Sequence, residues 1–218
     1  MRRDDFDAAI LDLDGTMVDT LGDFDAAVNA MLAELALPAM PRDAVARGVG
    51  WGSEHLIRTA LRHGGADAAR YDAAWGSYQR HYRAINGRHA RVFPGVREAL
   101  ARFAGAGIAL GCVTNKPHAF SVALLEAMGL APHFAVVLGG DSLPKKKPDP
   151  MPLLAACERL GAMPARTLMI GDSQVDAQAG AAAGCAVALV RYGFHHGQDL
   201  GALGAARLVD RIDELLVS

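Results

Sequence analysis

The sequence predicts an α/β fold, a doubly wound parallel sheet carrying an inserted α-helical unit. Two observations predict it. Short apolar runs without helical period alternate with amphipathic stretches along the later part of the chain, and a segment of about 90 residues near the start is helical throughout. The 218 residues amount to one full domain plus a smaller insertion at roughly 150 residues per domain.

Residues 8–13, 108–113, 135–138, 167–170 and 186–190 are apolar, are bounded by Gly, Asp, Asn or Pro, and read as buried strands. Between the later ones, residues 96–104, 119–128, 150–160 and 175–183 read as amphipathic helices. Pro94-Gly95 precedes the first of these, and Gly129, Gly161 and Gly184 close the others. Strand alternating with helix means a parallel sheet covered on both faces, a Rossmann-like core. The rhythm breaks between the first two strands, where residues 23–37, 42–49, 54–63 and 67–84 are helical. The expected division is a core domain of residues 1–18 and 92–218 with a helical cap domain of residues 19–91. Within the cap, Val49-Gly50-Trp51-Gly52-Ser53 is a flexible turn. It reads equally as a loop that touches a ligand and as a helix connector with Trp51 packed inside.

Composition excludes several classes. The chain has 22 Lys+Arg against 24 Asp+Glu, a formal charge of −2 without a basic block, so no nucleic-acid partner is expected. No apolar run approaches the roughly 20 residues of a membrane span, and Met1-Arg2-Arg3-Asp4-Asp5 lacks a signal-peptide pattern, so no membrane association and a cytoplasmic location are expected. Cys112, Cys157 and Cys185 are widely spaced among apolar neighbours and read as reduced core residues. The histidines show no chelating spacing; His195-His196, being adjacent, would face opposite sides of a strand.

The chemistry gathers where strands end. Strand one finishes Ile10-Leu11-Asp12-Leu13-Asp14-Gly15-Thr16, and period-two geometry aims both carboxylates the same way. Asp-Gly also signals a hairpin, but helix follows. The next exits carry Val113-Thr114-Asn115-Lys116, then Gly139-Gly140-Asp141-Ser142-Leu143-Pro144 with Lys145, Lys146 and Lys147, then Gly171-Asp172-Ser173-Gln174-Val175-Asp176. Each has an ordinary reading as a helix cap, a first-turn acid or a solvated loop. Together they describe the crevice beyond the carboxyl ends of a parallel sheet, where ligands bind.

Asp12, Asp14 and Asp172, with no softer donor nearby, make an oxygen-rich site suited to Mg²⁺. Charge explains why a metal is needed. A phosphomonoester dianion beside three carboxylates carries roughly five negative charges, and each like pair about 4 Å apart costs on the order of 4 kcal/mol at an effective dielectric near 20. Mg²⁺, one lysine and one protonated aspartic acid bring the total close to neutral. With this inventory one aspartate can attack phosphorus, and its neighbour can protonate the departing alkoxide and then activate water.

Asp12-Leu13-Asp14-Gly15-Thr16, Val113-Thr114-Asn115, Lys147-Pro148 and Gly171-Asp172-Ser173-Gln174-Val175-Asp176 resemble the four ordered motifs of the haloacid dehalogenase-like hydrolases. By that resemblance Asp12 is nucleophile and metal ligand. Asp14 is the general acid/base and completes the metal shell with its main-chain carbonyl. Thr114 and the backbone amide of Asn115 hold the phosphoryl group, Lys147 neutralises it and Asp172 binds Mg²⁺. Asp176 matches a supporting position and is left off the ligand set. Lys147 is preferred because it directly precedes a proline, although sequence alone leaves Lys145 and Lys146 open.

The insertion after the first motif resembles the subclass with an α-helical cap, which closes over substrate and expels water. Val49-Gly50-Trp51-Gly52, Val92-Phe93-Pro94-Gly95-Val96 with Leu100, Val113-Thr114-Asn115-Lys116-Pro117, Gly139-Gly140-Asp141-Ser142-Leu143-Pro144 and Tyr192-Gly193 are similar to the bacterial phosphoglycolate phosphatases within the family. The resemblance implies a Mg²⁺-dependent phosphomonoesterase acting through an aspartyl-phosphate on 2-phosphoglycolate. It leaves open a sugar phosphate such as N-acetylmuramate 6-phosphate, pyrophosphate, and a sugar phosphomutase. An inactive phosphate-binding module would lack one of these positions, and none is missing. The expected partner is a small phosphomonoester, in a monomer or homodimer. A carboxylate-bearing substrate calls for a cation from the cap, for which Arg47, His55 and Arg58 are candidates against an ordinary reading as exposed helix residues.

Overall fold

The computed structural model describes residues 5–215, so the first four residues of the amino-terminal segment lie outside the described residues. Six strands, β1 (Ala8–Leu11), β4 (Ala109–Val113), β5 (Val136–Leu138), β6 (Thr167–Gly171), β7 (Ala186–Val190) and β8 (Arg207–Val209), form one sheet in the order β5-β4-β1-β6-β7-β8. Every pairing in it is parallel. β1 is central: Ile10 is in register with Gly111 on one side and Met169 on the other.

Side-chain alternation sorts the strands between two apolar layers. Ala9, Leu11, Leu110, Cys112, Leu168 and Ile170 pack on one face with α5 (Val96–Gly105) and α6 (His118–Ala127). Ile10, Val113 and Met169 pack on the other with α7 (Met151–Leu160) and α8 (Gln174–Ala183). All four residues of β1 are buried, which is why it reads as an unbroken apolar run. Cys112, Cys157 and Cys185 are buried free thiols.

The chain leaves and re-enters this layer through a two-stranded antiparallel ribbon, β2 (Val18–Asp19) with β3 (Arg91–Val92). Between them lie α1 (Leu21–Glu34), α2 (Arg42–Ala46), α3 (Ser53–His63) and α4 (Tyr71–Ile85), which share an apolar core of their own built on Phe24, Val28, Met31, Leu56, Ile57, Tyr78 and Tyr82. Asp23, buried in α1, accepts from the backbone amides of Gly87 (2.6 Å) and His89 (2.7 Å) and ties the returning strand to the first helix.

The differences from the sequence reading have local causes. β2, β3 and β8 have two or three residues each, too short to show a period. The second helical stretch ends at Ala46, short of the expected residue 49, and is followed by Gly48 and by Gly50 at φ +93°. Residues 67–84 divide into a 3₁₀ turn, Ala68–Arg70, capped by Asp67, and then α4. His195 and His196 lie in the loop after β7, not on a strand. No helix among the described residues is long and apolar enough to cross a membrane.

Candidate active site

Asp12 follows β1 directly, and its amide extends the ladder to the Ile170 carbonyl at 2.9 Å. The chain then turns tightly, with Gly15 at φ +84°. A side chain there would meet Asp172 Oδ2 at 2.4 Å, so glycine lets the first turn close on the β6 exit. Asp172 is clamped from two sides: Thr16 Oγ1 donates to its Oδ1 at 2.8 Å and the Phe194 amide to its Oδ2 at 2.6 Å. Gly193 permits the second contact, since a Cβ there would come 2.2 Å from Asp172 Cβ.

Asp176 sits in the first turn of α8 and accepts from the Ser173 amide at 3.2 Å and the Ser173 hydroxyl at 2.7 Å, a capping arrangement favoured by the helix dipole. Its other oxygen receives Lys147 Nζ at 2.7 Å, and the same ammonium lies 3.0 Å from Asp12 Oδ1. Of the three consecutive lysines only Lys147 is buried, at 2% exposure. Lys146 is exposed and donates to the Trp51 carbonyl at 3.1 Å.

One oxygen from each of Asp12, Asp172 and Asp176 lies within 4.8 Å of the others, and all three residues are buried. A single ammonium serves this cluster. Burial pushes the Asp12 carboxyl up to about 7, with Lys147 pulling it down and the charges of Asp176 and Asp14 adding to the rise. Asp172 is raised as well, by burial first and then by Asp176 and Asp12. Burial acting alone would lower the Lys147 ammonium, but Asp12 and Asp176 outweigh it and hold it above the ordinary lysine range. Three buried carboxylates with one counter-charge, all oxygen donors, suit a hard divalent cation.

The carboxylates that meet are therefore not the expected set of Asp12, Asp14 and Asp172. The Asp14 side chain stands apart because a second buried lysine takes it: Lys116 Nζ lies 2.9 Å from Asp14 Oδ1 and 3.3 Å from Oδ2. The same Nζ donates to the Tyr82 hydroxyl and sits 4.5 Å from the Phe24 ring centroid and 4.7 Å from that of Tyr82. Lys116 carries no role in the sequence motifs; only its place at the strand exit beside Thr114 and Asn115 signals one.

Thr114 is buried, with its amide on the Leu138 carbonyl at 3.0 Å. The Asn115 side chain donates to the Lys147 carbonyl at 2.9 Å and across to the Gly50 carbonyl at 3.1 Å, joining the core to the helical insertion. Asp12, Asp14, Thr114, Asn115 and Lys116 line a cavity whose opposite wall is Phe24, Leu56 and the turn from Gly48 to Ser53. The turn meets the cavity through Gly48, Val49, Gly50, Gly52 and Ser53. Trp51 is half-buried and stands off the lining. The cavity volume is about 20 Å³, room for about one water. Arg47, His55 and Arg58 are outside the lining. Arg47 pairs with Asp43 at 2.8 Å and Arg58 with Glu54 at 3.0 Å, both on exposed helix faces.

Curated relatives cover nearly the whole chain. A phosphoglycolate phosphatase of Cupriavidus necator is 45% identical over 95% of this chain and 90% of its own length. One of Thiobacillus denitrificans is 40% identical over 95% and 92%. The crystal structure of a predicted phosphoglycolate phosphatase from Haemophilus somnus superposes with a TM-score of 0.92 at 29% identity, covering 96% of each chain. The family model described as haloacid dehalogenase-like hydrolase matches residues 9–190, from β1 to the end of β7, and the chain belongs to that family.

Proposed function

We propose that the protein is a phosphatase that hydrolyses 2-phosphoglycolate, with Asp12 as nucleophile and Asp14 as general acid/base. The observation that carries this reading is the juxtaposition, in one cavity, of a carboxylate held by Lys147 and a second carboxylate two residues on that is kept apart from it by its own ammonium. The names of the curated relatives supply the substrate.

In this reading Asp12 Oδ attacks phosphorus as the ester P–O bond breaks, and Asp14 gives its proton to the departing glycolate oxygen. Asp14 then takes a proton from the water that opens the aspartyl-phosphate, which returns Asp12 to its starting state. Thr114 and the Asn115 amide orient the phosphoryl oxygens while Lys147 offsets their charge. Mg²⁺ is assigned to Asp12, Asp172 and the main-chain carbonyl of Asp14, with Asp176 holding Lys147 and the α8 terminus beside it. When bound, the ion would supply the positive charge that the carboxylate cluster lacks and polarise the phosphoryl group.

Residues 19–91 act as a cap on a core of residues 1–18 and 92–218, in the cytoplasm. The cavity is narrow, with about 20 Å³ of room, and opening of the cap widens it for the phosphomonoester while its return expels water. The test is phosphate release with Mg²⁺ across 2-phosphoglycolate, N-acetylmuramate 6-phosphate, hexose phosphates and pyrophosphate. The highest kcat/KM is expected for 2-phosphoglycolate. A larger value for a hexose phosphate, or isomerised sugar phosphate without free phosphate, would overturn the assignment.

A further inference from the structure

We infer that Lys116 selects the substrate, by taking the carboxylate that lies beside the phosphate ester. The inference rests on the phosphoglycolate reading above and deepens it.

Among the described residues lining the cavity, Asp12, Asp14 and Lys116 are the charged ones, and Lys116 is the cation. A trianion entering this space meets two carboxylates and a wall of Phe24 and Leu56. Lys147 is already shared between Asp12 and Asp176 at 3.0 and 2.7 Å. The substrate's own carboxylate therefore has Lys116 as its partner within the cavity.

Covalent geometry points to the same atom. Asp14, as general acid, stands beside the ester oxygen that leaves. In phosphoglycolate one methylene separates that oxygen from the carboxylate, so a molecule whose ester oxygen reaches Asp14 brings its carboxylate to whatever flanks Asp14. What flanks it is Lys116 Nζ, at 2.9 Å. An ammonium has three donors. The two oxygens of Asp14, at 2.9 and 3.3 Å, lie on one side of the nitrogen and share one donor direction, the Tyr82 hydroxyl takes a second, and the third is left for an anion. The rings of Phe24 and Tyr82, stacked on each other with centroids 5.4 Å apart, flank the ammonium on one side, and its side chain is only 2% exposed, which strengthens its pull on a second anion. Specificity is thus built into the core and merely walled by the insertion, whose cations Arg47 and Arg58 are spent on neighbouring acids.

The experiment compares 2-phosphoglycolate with its neutral isostere, carbamoylmethyl phosphate, in the wild type, Lys116→Met and Lys116→Arg. The readout is the ratio of the two kcat/KM values. Any harm that the substitution does through Asp14 falls on both substrates and cancels in the ratio. The wild type is expected to favour the carboxylate by roughly 10- to 100-fold, the worth of one charge-assisted hydrogen bond, Lys116→Met to bring the ratio close to one, and Lys116→Arg to restore part of it. The ratio of dissociation constants in an Asp12→Asn background gives the same answer should Lys116→Met turn over neither substrate. A preference that survives Lys116→Met overturns the inference and leaves Lys116 as a positioning residue for Asp14. A wild type without the preference overturns the substrate reading itself, and the inference with it.

Discussion

The two sides of the crevice are balanced differently. On the β6 side three buried carboxylates, Asp12, Asp172 and Asp176, share one ammonium, that of Lys147. On the side facing the helical insertion one carboxylate, Asp14, has the ammonium of Lys116 to itself, backed by two aromatic rings. The first side is short of positive charge and calls for a cation from solution. The second matches one carboxylate with one ammonium, which has a donor to spare for an anion. A buried lysine therefore has no fixed meaning; the number of carboxylates around it decides whether the site takes up a metal or a substrate.

The largest effect that separates the two sides is expected from Asp12→Asn. Loss of the nucleophile should lower kcat by roughly 10³-fold or more in a phosphate-release assay. The same change relieves the charge deficit, so the metal-free variant should melt no lower than the metal-free wild type near neutral pH. A variant that keeps most of its turnover would remove Asp12 from the mechanism.

Asp14→Asn comes next, with kcat down about 10²- to 10⁴-fold. Because Asp14 lies outside the carboxylate cluster, the Mg²⁺-induced rise in melting temperature should survive this change while it vanishes in Asp172→Asn. A loss of the rise in both variants would dissolve the distinction between the two sides.

The deficit should also appear in the pH dependence of stability once metal is removed with EDTA, which is expected to stop turnover. Between roughly pH 4 and 7 the folded chain retains a proton on Asp12 that the unfolded chain has released, since Asp12 is pushed from its ordinary range up to about 7. Asp172 acts in the same sense. The metal-free protein should therefore be most stable at the acid end of that window and lose on the order of a few kcal/mol as pH rises through it. Mg²⁺ should flatten the slope, and a stability that climbs from pH 4 to 7 without metal would contradict the charge count.

The smallest effect is expected on the cap surface. Arg47→Ala and Arg58→Ala break pairs that solvent screens and should change kcat/KM by less than about threefold. A larger loss of 2-phosphoglycolate turnover in either would return specificity to the cap.

The legible parts of the molecule were those in which a short stretch decides its own environment. β1, β4 and β7 announce themselves because every residue is apolar, and Gly161 and Gly184 mark the helix ends at φ +67° and +78°. The gathering of Asp12, Thr114, Lys147 and Asp172 followed from their place at strand exits. What stayed hidden depends on partners distant in the chain. Lys145, Lys146 and Lys147 are equivalent as letters, and only the packing of Asp12 and Asp176 around one of them distinguishes it. Lys116 meets Phe24 and Tyr82, residues from α1 and α4 that the periodicity marks simply as apolar. Asp176 has a sufficient local role as a helix cap, which masked its place in the cluster.

The position of β1 in the sheet has a consequence for how the chain is made. It is synthesised first among the core strands, yet its neighbours begin at Ala109 and Thr167. The helices between Leu21 and Ile85 find their contacts among themselves, α1 against α4, soon after they emerge. The apolar Ala8–Leu11 segment must wait for its partners, one side until Ala109 and the other until Thr167 has been translated. An apolar strand that stays unpaired until Thr167 has been made is exposed to wrong partners for that interval, and the β1-centred sheet forms late.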